Sequence, residues 1–417
     1  MDRTIASSTY FRVWRLTRQL GVRAALITAL AFAAAGAAPY LAPFVPDALA
    51  GIVSSDAVTS LLQILASSML AVTIFSLSVV ISARQSASSQ VTPRSHQVLI
   101  EDSVTQNVLS TFLGAFIFSL VAVIFLGTGL YSGATVTVIL GFTLLVIIAV
   151  LYAILRSIAH IAELGSVTAT SRKIEAATYA AVDARRALPC LGARPLSPEH
   201  LEVPARALSF NAWDTGYVQH IDLKALSAAA RAVEGSVYVA VQPGELVSPG
   251  DTMAYFTADL DPERLKRAFT LADRRRFEQD PRFGVIVLAE IAQRALSPGI
   301  NDPGTAIDIL TRMARVLAHY RTESASEKAP VLPRVWMTPV TPEELVRDGF
   351  DPIARDGAGT FEVQMRLQRT LGLLSQSGDH PMEVAARPAS RRALEMALPA
   401  QRLEEHRTRL IALAEEV

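Results

Sequence analysis

Between Ser103 and Leu155 the chain runs for about 53 residues without an Asp, Glu, Lys or Arg. As a helix rising 1.5 Å per residue this stretch would reach roughly 80 Å, more than twice the ~30 Å hydrocarbon thickness of a bilayer, so it must cross and turn back. Gly127-Thr128-Gly129 through Tyr131-Ser132-Gly133 supplies the reversal. Glycines adopt turn dihedrals freely, and a tyrosine suits the membrane interface. Two spans follow from this segment alone.

Two further uncharged stretches lie upstream, Ala24 to Pro46 and Ala57 to Ala83, each about long enough to span. The predicted spans are therefore about residues 22–46, 57–83, 104–127 and 134–157. The first resembles a signal peptide in its AAAGAA run, but the long segment before it carries Arg12, Arg15, Arg18 and Arg23, and three spans follow, so it reads as a retained anchor. Cations lie at the N-terminus, between Arg84 and Arg94, and at Arg156, Arg172 and Lys173, whereas the two intervening turns carry none. By the positive-inside bias both termini are expected in the cytoplasm.

The composition fits a divided molecule: 51% hydrophobic residues with a mean hydropathy of +0.32, yet 19% charged residues, gathered mostly in the second half. The predicted fold class is an α-helical integral membrane domain of four transmembrane helices, residues 1–160, followed by an α+β cytoplasmic domain. Within the latter, residues 161–204 read as a helical extension and linker, 205–260 as a small β-rich subdomain and 261–417 as a mainly helical one. With 39 basic and 39 acidic residues there is no positive excess for nucleic acid to neutralise. The lone Cys190, beside Pro189, reads as an inert small residue.

The second span carries polar and small residues at Ser60, Gln63, Ser67, Ala71, Ser78 and Ser82, and steps of three, four and seven put them broadly on one helical face. Such a face either packs tightly against another helix or lines a water-filled path. No Gly or Pro interrupts the chain from Ala57 until Pro93, so this helix is predicted to run about 36 residues and protrude from the bilayer. Its protruding part, Arg84 to Gln90, is polar all round and needs neighbours, supplied by homo-oligomeric contact or docking on the cytoplasmic domain. Glu101 and Asp102 suit the positive N-terminus of the third span. The fourth is predicted to continue past Arg156 and the His160–Glu163 pair to about Ala187, with the Pro-rich segment Pro189 to Pro204 as a linker beyond it.

Short β runs are predicted at Leu208 to Phe210, Gly216 to Ile221, Ser236 to Val241 and Met253 to Phe256, with a helix between Leu223 and Val233. VAVQPGELVSPGDTMAYF resembles the hairpins of lipoyl/biotinyl-like sandwich folds, without a Lys at the turn to carry a prosthetic group. Helices are expected over Arg264 to Asp273, Phe283 to Leu296, Pro303 to Tyr320 and three later stretches, with β runs at Val335 to Met337 and Phe361 to Met365 that pair together.

At the centre stands DPRFGVIVLAEIAQRALSPGINDPGTAIDIL, residues 280 to 310. Leu296 closes one helix, Ser297-Pro298-Gly299 turns the chain, and Asp302-Pro303 opens the next with an acidic N-cap and a proline at the first helical position. ALSPGINDPGTA, together with ASSQVTPR at 87 to 94, resembles the bacterial predicted membrane protein family classified as domain of unknown function 2254 over nearly the whole chain. The resemblance implies a bacterial inner (cytoplasmic) membrane and brings no established activity. Gly304 departs from the bulkier residue expected there, which would affect local packing.

No metal signature, Walker loop, dinucleotide fingerprint or nucleophile elbow is present, so no catalytic, cofactor or metal residues are assigned and an enzyme is not expected. The predicted spans hold no carboxylate or lysine, which disfavours a coupled transporter and leaves a channel open. Two functions remain. One is a homo-oligomeric, channel-like assembly whose second spans, with Ser60, Gln63, Ser67, Ser78 and Ser82, surround a path for an ion or small ligand, the cytoplasmic domain forming a vestibule or gate. The other is a non-conducting scaffold or sensor whose cytoplasmic domain binds a protein or small ligand, with Ser297, Asn301 and Asp302 as the contact loop.

Overall fold

The computed structural model describes residues 20–46, 53–90, 92–95, 103–128, 133–161, 166–196, 203–259, 261–320 and 331–417. Glu101, Asp102, Glu163, most of the Gly127 to Gly133 turn and the loop Arg321 to Pro330 lie outside them. Contacts divide the chain into two compact units, one of residues 12–169 and another that contains residues 170–417.

Four helices form the first unit: α1 (Leu20–Leu41), α2 (Ser55–Gln90), α3 (Ser103–Gly127) and α4 (Ala134–Ile161). Among the described residues three helices are long and apolar enough to cross a membrane, in α2, α3 and α4. The expected first span, about residues 22–46, is not among these three. The apolar stretch of the first, Thr28–Phe44, is shorter than a span and is interrupted by Pro39 near the end of α1 and a 3-10 turn at Ala42–Phe44. Helix α3 is the centre, touched by α1, α2 and α4. Buried Ala115, Ser119 and Ala122 along it let those neighbours approach closely. Leu62, Phe118, Ala122 and Ile139 form one buried cluster, and Leu65, Met69, Phe112, Val150 and Ala153 another. Helix α2 spans 36 residues without a break, as its lack of Gly and Pro predicts.

The second unit opens with α5 (Val167–Ala187), followed by strands β1 (Ala193–Pro195), β2 (Leu208–Asn211) and β3 (Gly216–Ile221), helix α6 (Leu223–Ala232), and strands β4 (Val237–Val239), β5 (Leu246–Val247) and β6 (Thr252–Phe256). Helix α7 (Pro262–Ala268), strand β7 (Phe269–Ala272), helices α8 (Pro281–Leu296) and α9 (Pro303–Ala318), and strand β8 (Leu332–Met337) come next. Four helices complete it: α10 (Pro342–Asp356), α11 (Phe361–Ser375), α12 (His380–Ala397) and α13 (Glu404–Glu415). One sheet has the order β1-β8-β4-β6-β2 and a second the order β5-β3-β7. Val218, Leu226, Val237, Met253, Leu265 and Val335 fill the core around them.

Several local expectations give way here. The linker from Pro189 contributes β1, parallel to β8, because the edge of that sheet accepts its backbone; Leu196 N–H donates to the carbonyl of Met337 at 2.9 Å. Strand β8 lies between β1 and β4, with Tyr238 opposite Trp336 and their rings stacked 4.9 Å apart, so the sheet joins residues from both sides of position 260. The helix expected through Asp273 ends at Ala268, and the chain continues as β7 against β3. The β run expected at Phe361 to Met365 is helical, because Val363, Leu367, Leu371 and Leu374 recur at helical steps and are all buried. In the Pro-Gly segment β4 and β6 pair antiparallel, while β5 leaves to pair with β3; Gly244 and Gly250 supply the positive φ, 95° and 101°, of the two turns. Among the described residues the fourth span ends at Ile161 and α5 begins at Val167 as a separate helix.

Candidate functional site

Helix α2 has two opposed faces. Val58, Leu62, Leu65, Met69, Ser76 and Val80 are buried, the first four packing in the two clusters of this unit. At 100° per residue, Ser60, Ser67, Ala71 and Ser78 fall within about 40° of one another and lie roughly opposite that buried face. All four are exposed, as are Gln63 and Ser82 at the margins. No helix of the same chain covers this seam among the described residues. It is flanked by large exposed apolar side chains, Ile64, Ile74, Phe75 and Ile81. From Ser60 to Ser82 the seam is about 33 Å long, which matches the hydrocarbon thickness.

Part of the polarity of the seam is satisfied locally. Ser67 Oγ donates to the carbonyls of Gln63 at 3.0 Å and Ile64 at 3.1 Å, and Ser78 Oγ to that of Ile74 at 3.0 Å. Such back-bonding lets a hydroxyl sit in lipid or at a helix contact while the hydroxyl oxygen still accepts. Gln63 has an amide to place and no such geometry on its own helix. What the arrangement offers is a narrow, uncharged, hydrogen-bonding strip between greasy flanks.

The loop singled out around Ser297, Asn301 and Asp302 is a self-contained turn. Ser297 Oγ donates to the carbonyl of Arg294 at 2.6 Å, and the backbone N–H groups of Ile300 and Asn301 donate to that of Ser297. Asn301 holds a left-handed φ of 51°. Asp302 caps α9, accepting from Thr305 N–H at 3.1 Å and Thr305 Oγ1 at 2.5 Å. These hydrogen bonds hold its carboxyl below the usual carboxylate range. A Cβ on Gly304 would stand 3.3 Å from Asp302 Oδ1, so the glycine leaves the cap undisturbed. Among the described residues no group of three or more His, Cys, Asp or Glu is placed to hold a metal.

A second polar assembly, which the sequence reading missed, fastens α5 to α9. Glu175 accepts from Arg312 Nη1 at 2.5 Å and Arg315 Nη2 at 2.7 Å, and Arg312 also reaches Asp308 at 2.7 Å. Two turns further along α5, Asp183 meets His319 Nε2 at 2.9 Å, and the His319 ring stacks on Tyr179 at 4.5 Å. On α5 the spacing Glu175, Tyr179, Asp183 puts all three on one face, which is the signal that could have revealed it.

The family described as Predicted membrane protein (DUF2254) matches residues 17–372. Uncharacterized proteins of Mycobacterium bovis and of Mycobacterium tuberculosis are each 30% identical over 123 residues, covering 27% of this chain and 23% of theirs. The chain thus spans about a quarter of the length of the curated relatives it matches. No solved structure matches.

Proposed function

Because the chain belongs to the family described as Predicted membrane protein (DUF2254), we propose that it works in the bacterial inner membrane as a homo-oligomeric, channel-like assembly in which α2 lines a central path. The observation that carries the reading is the exposed seam of Ser60, Ser67, Ala71 and Ser78, opposite the packed face and as long as the bilayer core is thick. A polar strip turned to lipid leaves Gln63 without partners, whereas a strip turned to a symmetry axis meets water or its own copies. The region from residue 170 onward acts as the vestibule or gate, the ends of the chain are cytoplasmic, α1 serves as a fourth, membrane-embedded helix, and no catalysis is involved.

The local hydrogen bonds of Ser67 and Ser78 favour one rival, a non-conducting scaffold in which the same seam only packs helix on helix. Cysteine accessibility separates the two. With Cys190 buried, a thiol introduced by Ser67→Cys or Ser78→Cys is the only one open to a membrane-impermeant methanethiosulfonate. Rapid labelling at both positions, with a step conductance in planar bilayers that the label blocks, supports the channel. Protection at both positions, or a monomer by native mass spectrometry, overturns it.

A further inference from the structure

Near the end of α5, Arg185 is only 5% exposed. Its Nη2 donates to the carbonyl of Gln279 at 2.9 Å, its Nε is enclosed without an acceptor, and no ion pair forms at it among the described residues. Three titratable groups face it: Cys190, Tyr320 and Asp280. Asp280 is already engaged, since Arg275 holds its carboxylate at 2.8 and 3.0 Å and Phe283 N–H donates to it at 3.0 Å. The other two supply no charge. Burial pushes the Cys190 thiol up to about 11 and the Tyr320 phenol up to about 12, and that phenol donates to the carbonyl of Val340 at 2.7 Å.

Arg185 is therefore a guanidinium with one carbonyl partner and no carboxylate in contact among the described residues, in a region that largely excludes water. An interior cation is stable only when an anion or several acceptors meet it. The backbone beside it is unusual as well. Cys190, Leu191 and Gly192 have φ of 49°, 55° and 90°, three consecutive left-handed residues of which two carry side chains. All three are buried. Such a turn persists only where its surroundings impose it.

We propose that Arg185 anchors a site for one small oxyanion of the phosphate or sulfate type, held beside Gln279, Cys190 and Tyr320. The planar fork of a guanidinium matches the oxygens of such an ion, and its negative charge meets a cation that no carboxylate contacts. The same chemistry fits a free inorganic ion or the phosphate of a small ester. This site does not rest on the seam of α2, and its test reads a different region.

The full-length protein in detergent, dialysed free of phosphate and sulfate, is heated with sodium phosphate, sodium sulfate, glycerol phosphate or sodium chloride at equal ionic strength. Phosphate or sulfate is expected to raise the unfolding midpoint saturably, by about 3–6 °C, while chloride does not. An equal rise with glycerol phosphate assigns the site to an ester; a rise with the inorganic ions alone assigns it to the free ion. Arg185→Gln is expected to abolish the rise. If that variant does not fold, Arg185→Lys, which keeps the charge and loses the fork, carries the test with an expected increase of at least ~10-fold in the half-saturating phosphate concentration. No rise in the wild type, or an unchanged phosphate response in either variant, overturns the proposal.

Discussion

Glu175 Oε2 stands 2.5 Å from Arg312 Nη1, and this contact ties α5, the helix that follows the last membrane span in sequence, to α9 across 137 positions. Both side chains are largely enclosed, at 16% and 9% exposure. Removing one partner of such a pair leaves the other charged and poorly solvated. Glu175→Gln is expected to lower the stability of the second unit by about 2–4 kcal/mol, read as a lower urea midpoint with an unchanged slope. A loss below a few tenths would mean that Asp308 alone satisfies Arg312.

Gly284 on α8 allows α5 to come close, since an added Cβ would collide with the Thr178 side chain. Thr178 Oγ1 already donates to the carbonyl of Ile174 at 2.7 Å and is fully buried, so it has no room to turn away. Gly284→Ala should cost about 1–3 kcal/mol by overpacking. Thr178→Ala in the same chain should recover part of that, and the coupling is measured by a double-mutant cycle. Additive losses would show that the two helices do not press on each other there.

Asp302 offers a test in acid. Its folded carboxyl titrates below the ordinary value because Thr305 donates two hydrogen bonds to it. A depressed carboxylate stabilises the fold above its unfolded pKa and loses that contribution as pH falls through the folded one. Asp302→Ala is therefore expected to cost about 1 kcal/mol at neutral pH, the usual value of a helix cap. The gap between wild type and variant should narrow in acid, as pH falls below the ordinary carboxylate range through the lowered pKa of the folded carboxyl. Denaturant midpoints at neutral and acid pH check both statements.

Cys190 should be inert in the native protein. Burial holds the thiol up at about 11, and thiolate is the reactive form. Maleimide at pH 7.5 is expected to modify it only after unfolding, as mass spectrometry with and without guanidinium would read. Labelling of the folded chain within minutes would show that the turn at Cys190 and Leu191 opens.

The two faces of α2 predict opposite kinds of damage. Leu62 is fully buried against Phe118 and Ala122, so Leu62→Ala should destabilise the membrane unit by about 2–5 kcal/mol, whatever its oligomeric state. Ala71→Leu, on the exposed seam, should leave the isolated chain as stable as before and weaken assembly instead. Thermal unfolding and native mass spectrometry of both variants separate the effects. Equal damage to the fold from both would place Ala71 inside the chain's own packing.

Some of this architecture could be read from local pattern. The length of α2 follows from the absence of Gly and Pro, its seam from steps of three, four and seven, and the loop after Leu296 from its capping residues. The start of α10 carries a local signal of the same kind, since Thr341, Pro342 and Glu344 form a capping box with proline at the first helical position, yet no helix is among those expected there from the sequence. Strand β1 could not be found this way. Three residues in a Pro-rich stretch become a strand only because β8, more than a hundred positions later, offers them an edge.

The sequence by itself determined the elements that depend on near neighbours: three of the expected spans, from uncharged length; the helix starts, from caps; and the division between a membrane unit and a polar one, from composition along the chain. Tertiary structure alone decided which faces met. It turned the seam of α2 away from α3, brought Glu175 to Arg312, and enclosed Arg185 beside an Asp280 already held by Arg275. Periodicity marks a face but not its partner. Contacts between distant residues depend on how whole elements close-pack, and that choice has no signature within any short window of the chain.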